Sequence, residues 1–432
     1  MRIQELLVRN FRGIREARIK FPLDDRPGRT TVLLGVNGSG KTAALDCLAA
    51  LLSRLHAGIR GGGGEGVGRL YSDLDIRRGA ALTDNWVHAQ VRDTTAIWPL
   101  SRRRIGIRSA VVVLPGMSAE HDLNDLVREI RATATDSPDD PFPVAPPLAV
   151  YYPTNRSVLD IPLRIRQRHP FDQLSAYDYA LTGASANFRV FFEWFRGRED
   201  IENEERVTSA DHRDRQLEAV RAAVKAMPIG LSDLRVRRNP LRMVVRKAGE
   251  ELRVDQLSDG EKCVFALTGD LARRLAIAAG PNNPPLDTPA VVLIDEVDLH
   301  LHPTWQRRIV PCLEKAFPKC QFIVSTMSPL VVSQVRPEFV RILRREGAET
   351  VVEEPVASYG LDANRALEEL MDTDRRAADA IGKRLSHLFA LIDAGMTADA
   401  KAEADALEDD IGQDRELVRA RTLIRAAEIL NR

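Results

Sequence analysis

The sequence predicts an α/β fold: a mixed or parallel sheet with helices on both faces, carrying an inserted helical lobe and a C-terminal helical tail. Three observations predict it. Thr30–Leu34, Ala290–Ile294 and Gln321–Ser325 are almost unbroken apolar runs of strand length, the pattern of strands covered on both faces. Helical periodicity alternates with these runs, which argues for parallel crossovers. Finally, Gly35-Val-Asn-Gly-Ser-Gly-Lys41-Thr42 joins the first run to a helix, the context in which a glycine-rich turn closes around phosphate.

Taken in order, residues 3–9 and 14–21 read as two strands around the turn Asn10-Phe11-Arg12-Gly13, a β-hairpin. The strand 30–34 follows a Pro/Gly/Asp loop, and a helix runs from Lys41 to about Leu55. The glycine-rich stretch 57–68 has no Lys-Ser/Thr ending and no preceding strand, so it reads as a loop rather than a second phosphate cradle. Strand formers recur over 85–115, at Trp86–Val91 and Ala110–Leu114, and again at Leu148–Tyr152; the Pro- and Asp-rich 132–148 is a connection. Helical patterns fill 171–228, and strands at 234–238 and 241–247 lead into Leu257-Ser-Asp-Gly-Glu261 and a helix to about Ala279. A helix starts at Pro303 between the second and third apolar strands. Four amphipathic segments close the chain, at Asn364–Met371, Arg375–Ile392, Thr397–Asp409 and Arg415–Leu430. The expected organisation is therefore 1–170 and 231–350 as two parts of one head, 171–230 as an inserted helical lobe, and 351–432 as the tail.

At 432 residues the chain exceeds one ordinary domain. Lys plus Arg and Asp plus Glu both total 62, so no global field favours nucleic acid or membrane, and any such contact must come from local patches. The four cysteines, Cys47, Cys263, Cys312 and Cys320, lack metal-ligand spacing and read as core thiols of a reducing compartment. No apolar run of membrane-spanning length and no leader segment is evident, so a cytoplasmic location without membrane contact is expected.

The chemistry concentrates in few residues. Gly35, Asn37, Gly38, Ser39 and Gly40 shape a loop whose N–H groups face phosphate oxygens, Lys41 reaches the terminal phosphates, and Thr42 offers an oxygen to Mg²⁺. Ala290–Ile294 ends in Asp295-Glu296: alone a capped strand end, beside the loop a pair in which Asp295 serves Mg²⁺ and Glu296 orients or deprotonates water. The implied ligands are ATP and Mg²⁺. Ser258 is a natural helix cap and Gly260 permits close backbone approach.

The order of these motifs resembles the ABC-type ATPases, with Leu257–Glu261 in the place of their signature motif. That resemblance implies a homodimer, or a larger homo-oligomer, in which Ser258 and Gly260 of one copy complete the ATP site of another. Leu7-Val-Arg-Asn-Phe-Arg12-Gly and Asp298-Leu-His-Leu-His302-Pro resemble the RecF, SMC and OLD branch. Over most of the chain, Tyr151-Tyr-Pro-Thr-Asn-Arg156 and Ser358-Tyr-Gly-Leu-Asp-Ala-Asn364 included, the sequence is similar to PtuA-type ATPases of Septu and retron anti-phage systems, found beside an HNH nuclease. The resemblance implies that Arg12 approaches the nucleotide, that His302 lies in a loop at the dimer interface, and that a separate nuclease is the partner. Metal binding by His300 and His302 is the alternative, disfavoured by their i, i+2 spacing with no further ligand nearby. Where this branch has Thr-His-Ser-Pro, the chain has Thr326-Met327-Ser328-Pro329. Methionine donates no hydrogen bond and carries no charge, so slow hydrolysis is expected. Arg-rich runs at 101–104, 164–168 and 235–238 are candidates for nucleic acid or simply solvated faces. A DNA-repair ATPase of the RecF kind and a non-hydrolysing scaffold are the rival readings.

Overall fold

The structure is a computed structural model that describes residues 1–22, 30–61, 70–106, 122–137, 141–154, 171–182, 188–280, 283–347, 349–371 and 380–430. It comprises two compact units, Met1–Asp362 and Ala363–Arg432. In the first, β1 (Arg2–Phe11) and β2 (Ile14–Lys20) form a hairpin, then β3 (Thr30–Leu34) leads into α1 (Lys41–Arg60). A second hairpin, β4 (Leu82–Val91) and β5 (Thr94–Arg103), is followed by α2 (Leu123–Ala132), β6 (Leu148–Tyr152), α3 (Phe188–Thr208) and α4 (Arg215–Ala226). Next come β7 (Leu231–Arg238), β8 (Leu241–Lys247), β9 (Glu250–Arg253), α5 (Asp259–Ala278), β10 (Ala290–Ile294) and α6 (Pro303–Ala316). The unit ends with β11 (Gln321–Thr326), the single turn α7 (Pro329–Val332), β12 (Val340–Glu346) and β13 (Glu349–Glu353). The second unit holds α8 (Ala363–Met371), α9 (Ala380–Asp393), α10 (Thr397–Ile411) and α11 (Arg415–Leu430).

Among the described residues the central sheet has the order β13-β12-β3-β11-β10-β6. Five neighbours run parallel and β13 returns antiparallel at one edge. All residues of β3, β6, β10 and β11 are buried, which is why these strands read as apolar runs without alternation. Register aligns Leu34 with Thr326 and Ile294 with both Val324 and Tyr152. The carboxyl ends of four parallel strands thus open on one rim, where ligands sit in open α/β sheets. A second, antiparallel sheet, β2-β1-β4-β5, is tied to the first by Gln321, whose amide accepts from Ile3 N–H at 2.6 Å and donates to Ile3 C=O at 2.9 Å.

The segment 171–230 supplies α3 and α4, which lie within the first unit and pack on α5. Phe188 packs tilted and Phe191 edge-on against Phe265 of α5, and Gly269 leaves the room that Phe191 occupies, a Cβ there meeting its ring at 3.0 Å. The head also extends further than residue 350. β13 carries the sheet to Glu353, and Gly360 N–H still bonds Ser333 C=O at 2.9 Å, so the second unit starts at Ala363. That unit has its own small core of Leu385, Leu388, Ala400, Ala404, Leu407, Leu417, Ala420 and Ile424; the alanines let α9, α10 and α11 approach closely. The expected strand Ala110–Leu114 and the basic run 164–168 lie outside the described residues.

Helix α1 has the length and mean hydropathy of a membrane span, yet 72% of that stretch is buried inside the protein. Three cysteines are buried and Cys312 is half-buried, all as free thiols. Buried on α1, His56 accepts from Ala149 N–H through Nε2 at 3.1 Å and stacks on Tyr177 at 4.0 Å. Burial, with Arg274 nearby, pushes its pKa down to about 3. A depressed histidine binds its proton in the unfolded chain first, so stability is lost as pH falls below about 6.5. Urea unfolding at pH 5 should show about 2 kcal/mol less stability than at pH 7 from this group alone, a difference that His56→Phe should remove.

Candidate functional site

The loop after β3 can form only with the glycines it has. A Cβ on Gly35 would stand 2.5 Å from Leu343 C=O and 2.6 Å from Ser39 Oγ, and Gly38 (φ 82°) and Gly40 (φ 110°) occupy left-handed backbone. Val36, Asn37 and Gly38 are exposed at the tip, while Ser39 and Lys41 are buried. Lys41 Nζ donates to Gly35 C=O at 2.7 Å and Val36 C=O at 3.1 Å. Burial lowers its pKa, opposed by the carboxylates of Asp295, Glu296 and Asp298. The ammonium is therefore folded back on its own loop and lies in the field of three carboxylates.

Those carboxylates come from β10 and the turn beyond it. Asp295 is fully buried; its carboxylate accepts from Thr42 Oγ1 at 2.9 and 3.2 Å and from Ser325 Oγ. Its N–H donates to Tyr152 C=O at 2.9 Å. Glu296 is half-buried at φ 46°, and its N–H donates to Ser325 Oγ at 2.8 Å. A non-glycine residue in this region stores strain that its surroundings must hold. Thr326 Oγ1 donates to Asp298 and accepts from Ser328 N–H at 2.9 Å. Met327, between them, is 40% exposed. The structure thus brings together Gly35, Ser39, Gly40, Lys41, Thr42, Asp295 and Glu296 along one rim, and adds Ser325 and Thr326, with Tyr152 behind them holding the Asp295 backbone. Ser325 and Thr326 had a signal in the sequence: two hydroxyls ending a buried strand, where only a polar task justifies them.

Arg12, at φ 49° on the hairpin tip, lies against α1, but its guanidinium is engaged by Asp46 and, at 2.9 Å, by Asp75. Despite burial, these two acids raise its pKa. Ser258 caps α5, and its side chain donates to Glu261 at 2.9 Å, while Glu261 is also paired with Lys247. Ser258 and Asp259 face solvent. Gly260 packs on its own chain: a Cβ would meet His300 C=O at 2.4 Å. The helix start thus abuts the loop that follows Glu296. His302 caps α6, its Nδ1 accepting from Thr304 N–H at 3.3 Å. Among the described residues no three His, Cys, Asp or Glu side chains group as a metal site.

The basic runs that are described are largely neutralised. Arg235 and Arg237 pair with Glu251, Arg238 with Glu199 and Asp200, and Arg102 with Asp73. Chemically, the rim fits a polyphosphate with a hard cation. Buried Ser39 Oγ has no hydrogen-bond partner, the Gly35 cradle is one that a Cβ would fill, and Thr42 with Asp295 forms an all-oxygen pair suited to Mg²⁺.

The chain is similar to several known proteins. Family models match residues 156–333 ("AAA domain, putative AbiEii toxin, Type IV TA system") and 5–76 ("AAA domain"). The protein named "Retron Ec83 probable ATPase" of Escherichia coli is 27% identical over 412 residues, 80% of this chain and 72% of that one. "Retron Vc95 probable ATPase" of Vibrio cholerae is 28% identical over 405 residues, 83% and 76% of the two chains. "Septu protein PtuA" of Bacillus mycoides is 36% identical over 107 residues, 24% of this chain and 14% of that protein. Among solved structures, the Smc head bound to the C-winged helix domain of ScpA aligns at a TM-score of 0.46 and 16% identity, covering 82% of this chain and 98% of that one.

Proposed function

Because this chain is a P-loop protein of the ABC/AAA class whose homologues are the retron ATPases and Septu PtuA, we propose that it binds ATP with Mg²⁺ and hydrolyses it slowly, as the sensing or regulating partner of a separate effector in cytoplasmic anti-phage defence. The observation that carries the reading is the meeting of Thr42 Oγ1 with Asp295, which joins the phosphate loop to the carboxylate strand.

In this reading Gly35, Asn37, Gly38, Ser39 and Gly40 present backbone N–H groups to the phosphates, and Lys41 swings from the carbonyls of Gly35 and Val36 to the terminal phosphates. Bound ATP with Mg²⁺ supplies the anhydride and the neutralising charge at Thr42 and Asp295. Glu296 orients the attacking water and takes its proton. Exposed Ser258, with Gly260 behind it, completes the site of a second copy in a head-to-tail dimer. The effector is an HNH nuclease, and the 363–432 unit is the surface available to recruit it. Nucleic acid would have to compete with Glu251, Glu199 and Asp200 for Arg235, Arg237 and Arg238, which are already ion-paired.

Binding is tested with a fluorescent ATP analogue. Lys41→Ala should weaken it about 30-fold or more, the usual cost of removing one partner of a desolvated charge contact. Turnover is tested by phosphate release. Wild type should be slow and Met327→His about tenfold faster, the worth of one hydrogen bond to a charged group. Brisk wild-type turnover that Met327→His leaves unchanged contradicts the account. Undiminished binding by Lys41→Ala contradicts the site itself.

A further inference from the structure

Among the described residues β6 is the edge of the central sheet, hydrogen-bonded to a strand on one side only, so it lacks the second row of ladder bonds that holds an inner strand. Yet its last residue, Tyr152, supplies the carbonyl that receives Asp295 N–H at 2.9 Å. What fixes β6 is a buried polar network. The Tyr152 hydroxyl, on a side chain with 2% exposure, donates to Asp270 of α5 at 3.0 Å. Asp270 also receives Arg274 Nε at 2.7 Å and Arg273 Nη2 at 2.8 Å. Arg274 Nη1 holds the carbonyls of Ala176 and Asp178 at 2.7 and 2.8 Å. Two residues on, Ala180 C=O receives Tyr151 N–H at 2.7 Å, gripping the outer edge of β6. The Asp178 carboxylate in turn holds Arg60, the last residue of α1.

The network therefore joins three elements whose other ends carry the chemistry: α1, begun by Lys41 and Thr42; α5, begun by Ser258; and β10, which ends at Asp295. A helix behaves as a rod on this scale, and Asp270 lies about 18 Å along α5 from Ser258 at 1.5 Å per residue. A shift or rotation imposed on the exposed end of α5 is delivered through Asp270 to the Tyr152 hydroxyl, and through its carbonyl to Asp295.

Resting on the reading that Thr42 and Asp295 hold Mg²⁺ with ATP, we propose that Tyr152 is a positioning residue that couples engagement of the Ser258–Gly260 end of α5 to the placement of Asp295. The test uses the full chain and four proteins: wild type, Tyr152→Phe, Ser258→Arg and the double variant. Two fluorescence titrations are read, analogue binding without Mg²⁺ and the Mg²⁺ concentration that half-saturates its effect on bound analogue, together with the melting temperature. Phenylalanine keeps the ring in its pocket, so Tyr152→Phe should fold and bind the analogue as wild type does. Its Mg²⁺ half-saturation should rise about tenfold, the factor expected for one buried hydrogen bond to a charged acceptor. Ser258→Arg should raise it similarly in wild type and add nothing in Tyr152→Phe, the non-additivity of a shared path. An unchanged half-saturation in Tyr152→Phe, or additive effects in the double variant, overturns the proposal. If Lys41→Ala binds the analogue like wild type, the nucleotide reading itself fails, whatever Tyr152→Phe does.

Discussion

Glu296→Gln is expected to lower phosphate release by about 10²- to 10⁴-fold, the contribution of one positioned general base, while leaving ATP binding intact. The geometry supports so large an effect. The Glu296 backbone is fixed three ways: its N–H donates to Ser325 Oγ at 2.8 Å, its C=O accepts from Leu299 N–H at 2.9 Å, and φ is held at 46°. Such a backbone sets the Cα–Cβ direction of the side chain before any ligand arrives, and glutamine preserves the side chain's shape while removing the base. With release blocked, the ATP-bound assembly should accumulate and be visible by size-exclusion chromatography with light scattering. Turnover within threefold of wild type would assign Glu296 to holding the turn rather than to catalysis.

The second large effect concerns folding. Asp270→Ala should cost about 3–5 kcal/mol in denaturant unfolding, because it strands charges that the interior cannot solvate. Arg273 and Arg274 are both fully buried beside Asp270. Burial drives the Arg273 pKa down, with Asp270 opposing it, while the same carboxylate helps hold the Arg274 pKa up. The Asp270 carboxyl lies well below the usual carboxylate range despite burial, because Arg274 and Arg273 surround it. Its stabilisation is therefore present above the unfolded carboxylate pKa and lost as pH falls towards the folded one. A control separates charge from space. Replacing Asp270, Arg273 and Arg274 together by Leu, Met and Met should restore much of the loss, as apolar substitutes for buried ion groups do elsewhere. If the triple variant is as unstable as Asp270→Ala, packing and not the stranded charge is responsible.

The parts of the fold that sequence made legible are those whose signal is local. β3, β10 and β11 announced themselves by unbroken apolar runs, and α5 by the cap Ser258 with Glu261 three residues on. Strands β9, β12 and β13 were not anticipated. β9 is Glu-Glu-Leu-Arg, four residues with no apolar face. β12 begins Val-Arg-Ile-Leu but ends in Arg-Arg-Glu, so its buried half is shorter than a strand pattern needs. Its place beside β3 depends on pairing across some three hundred residues, which no window can register. At the site, Lys41, Thr42, Asp295 and Glu296 followed from spacing and strand context. The role of Tyr152 did not, because it arises from a carbonyl and a hydroxyl pointing to elements far apart in sequence. Nor could spacing reveal that Gly260 lies under His300 of its own chain, or that Arg12 is held by Asp46 and Asp75.

The register of β3 bears on how the protein is made. Its Val32 pairs with Val324 on one side and Val340 on the other, so the phosphate-loop strand emerges from the ribosome long before either neighbour exists. At about 5–20 residues per second, that strand waits roughly 15–60 s for the chain to reach its partners. The central sheet can close around β3 only once β11 and β12 have been made. A nascent chain cut short between Thr42 and Gln321 holds the whole phosphate loop while β3 lacks both its neighbouring strands, so such truncated products should bind nucleotide far more weakly than the finished protein.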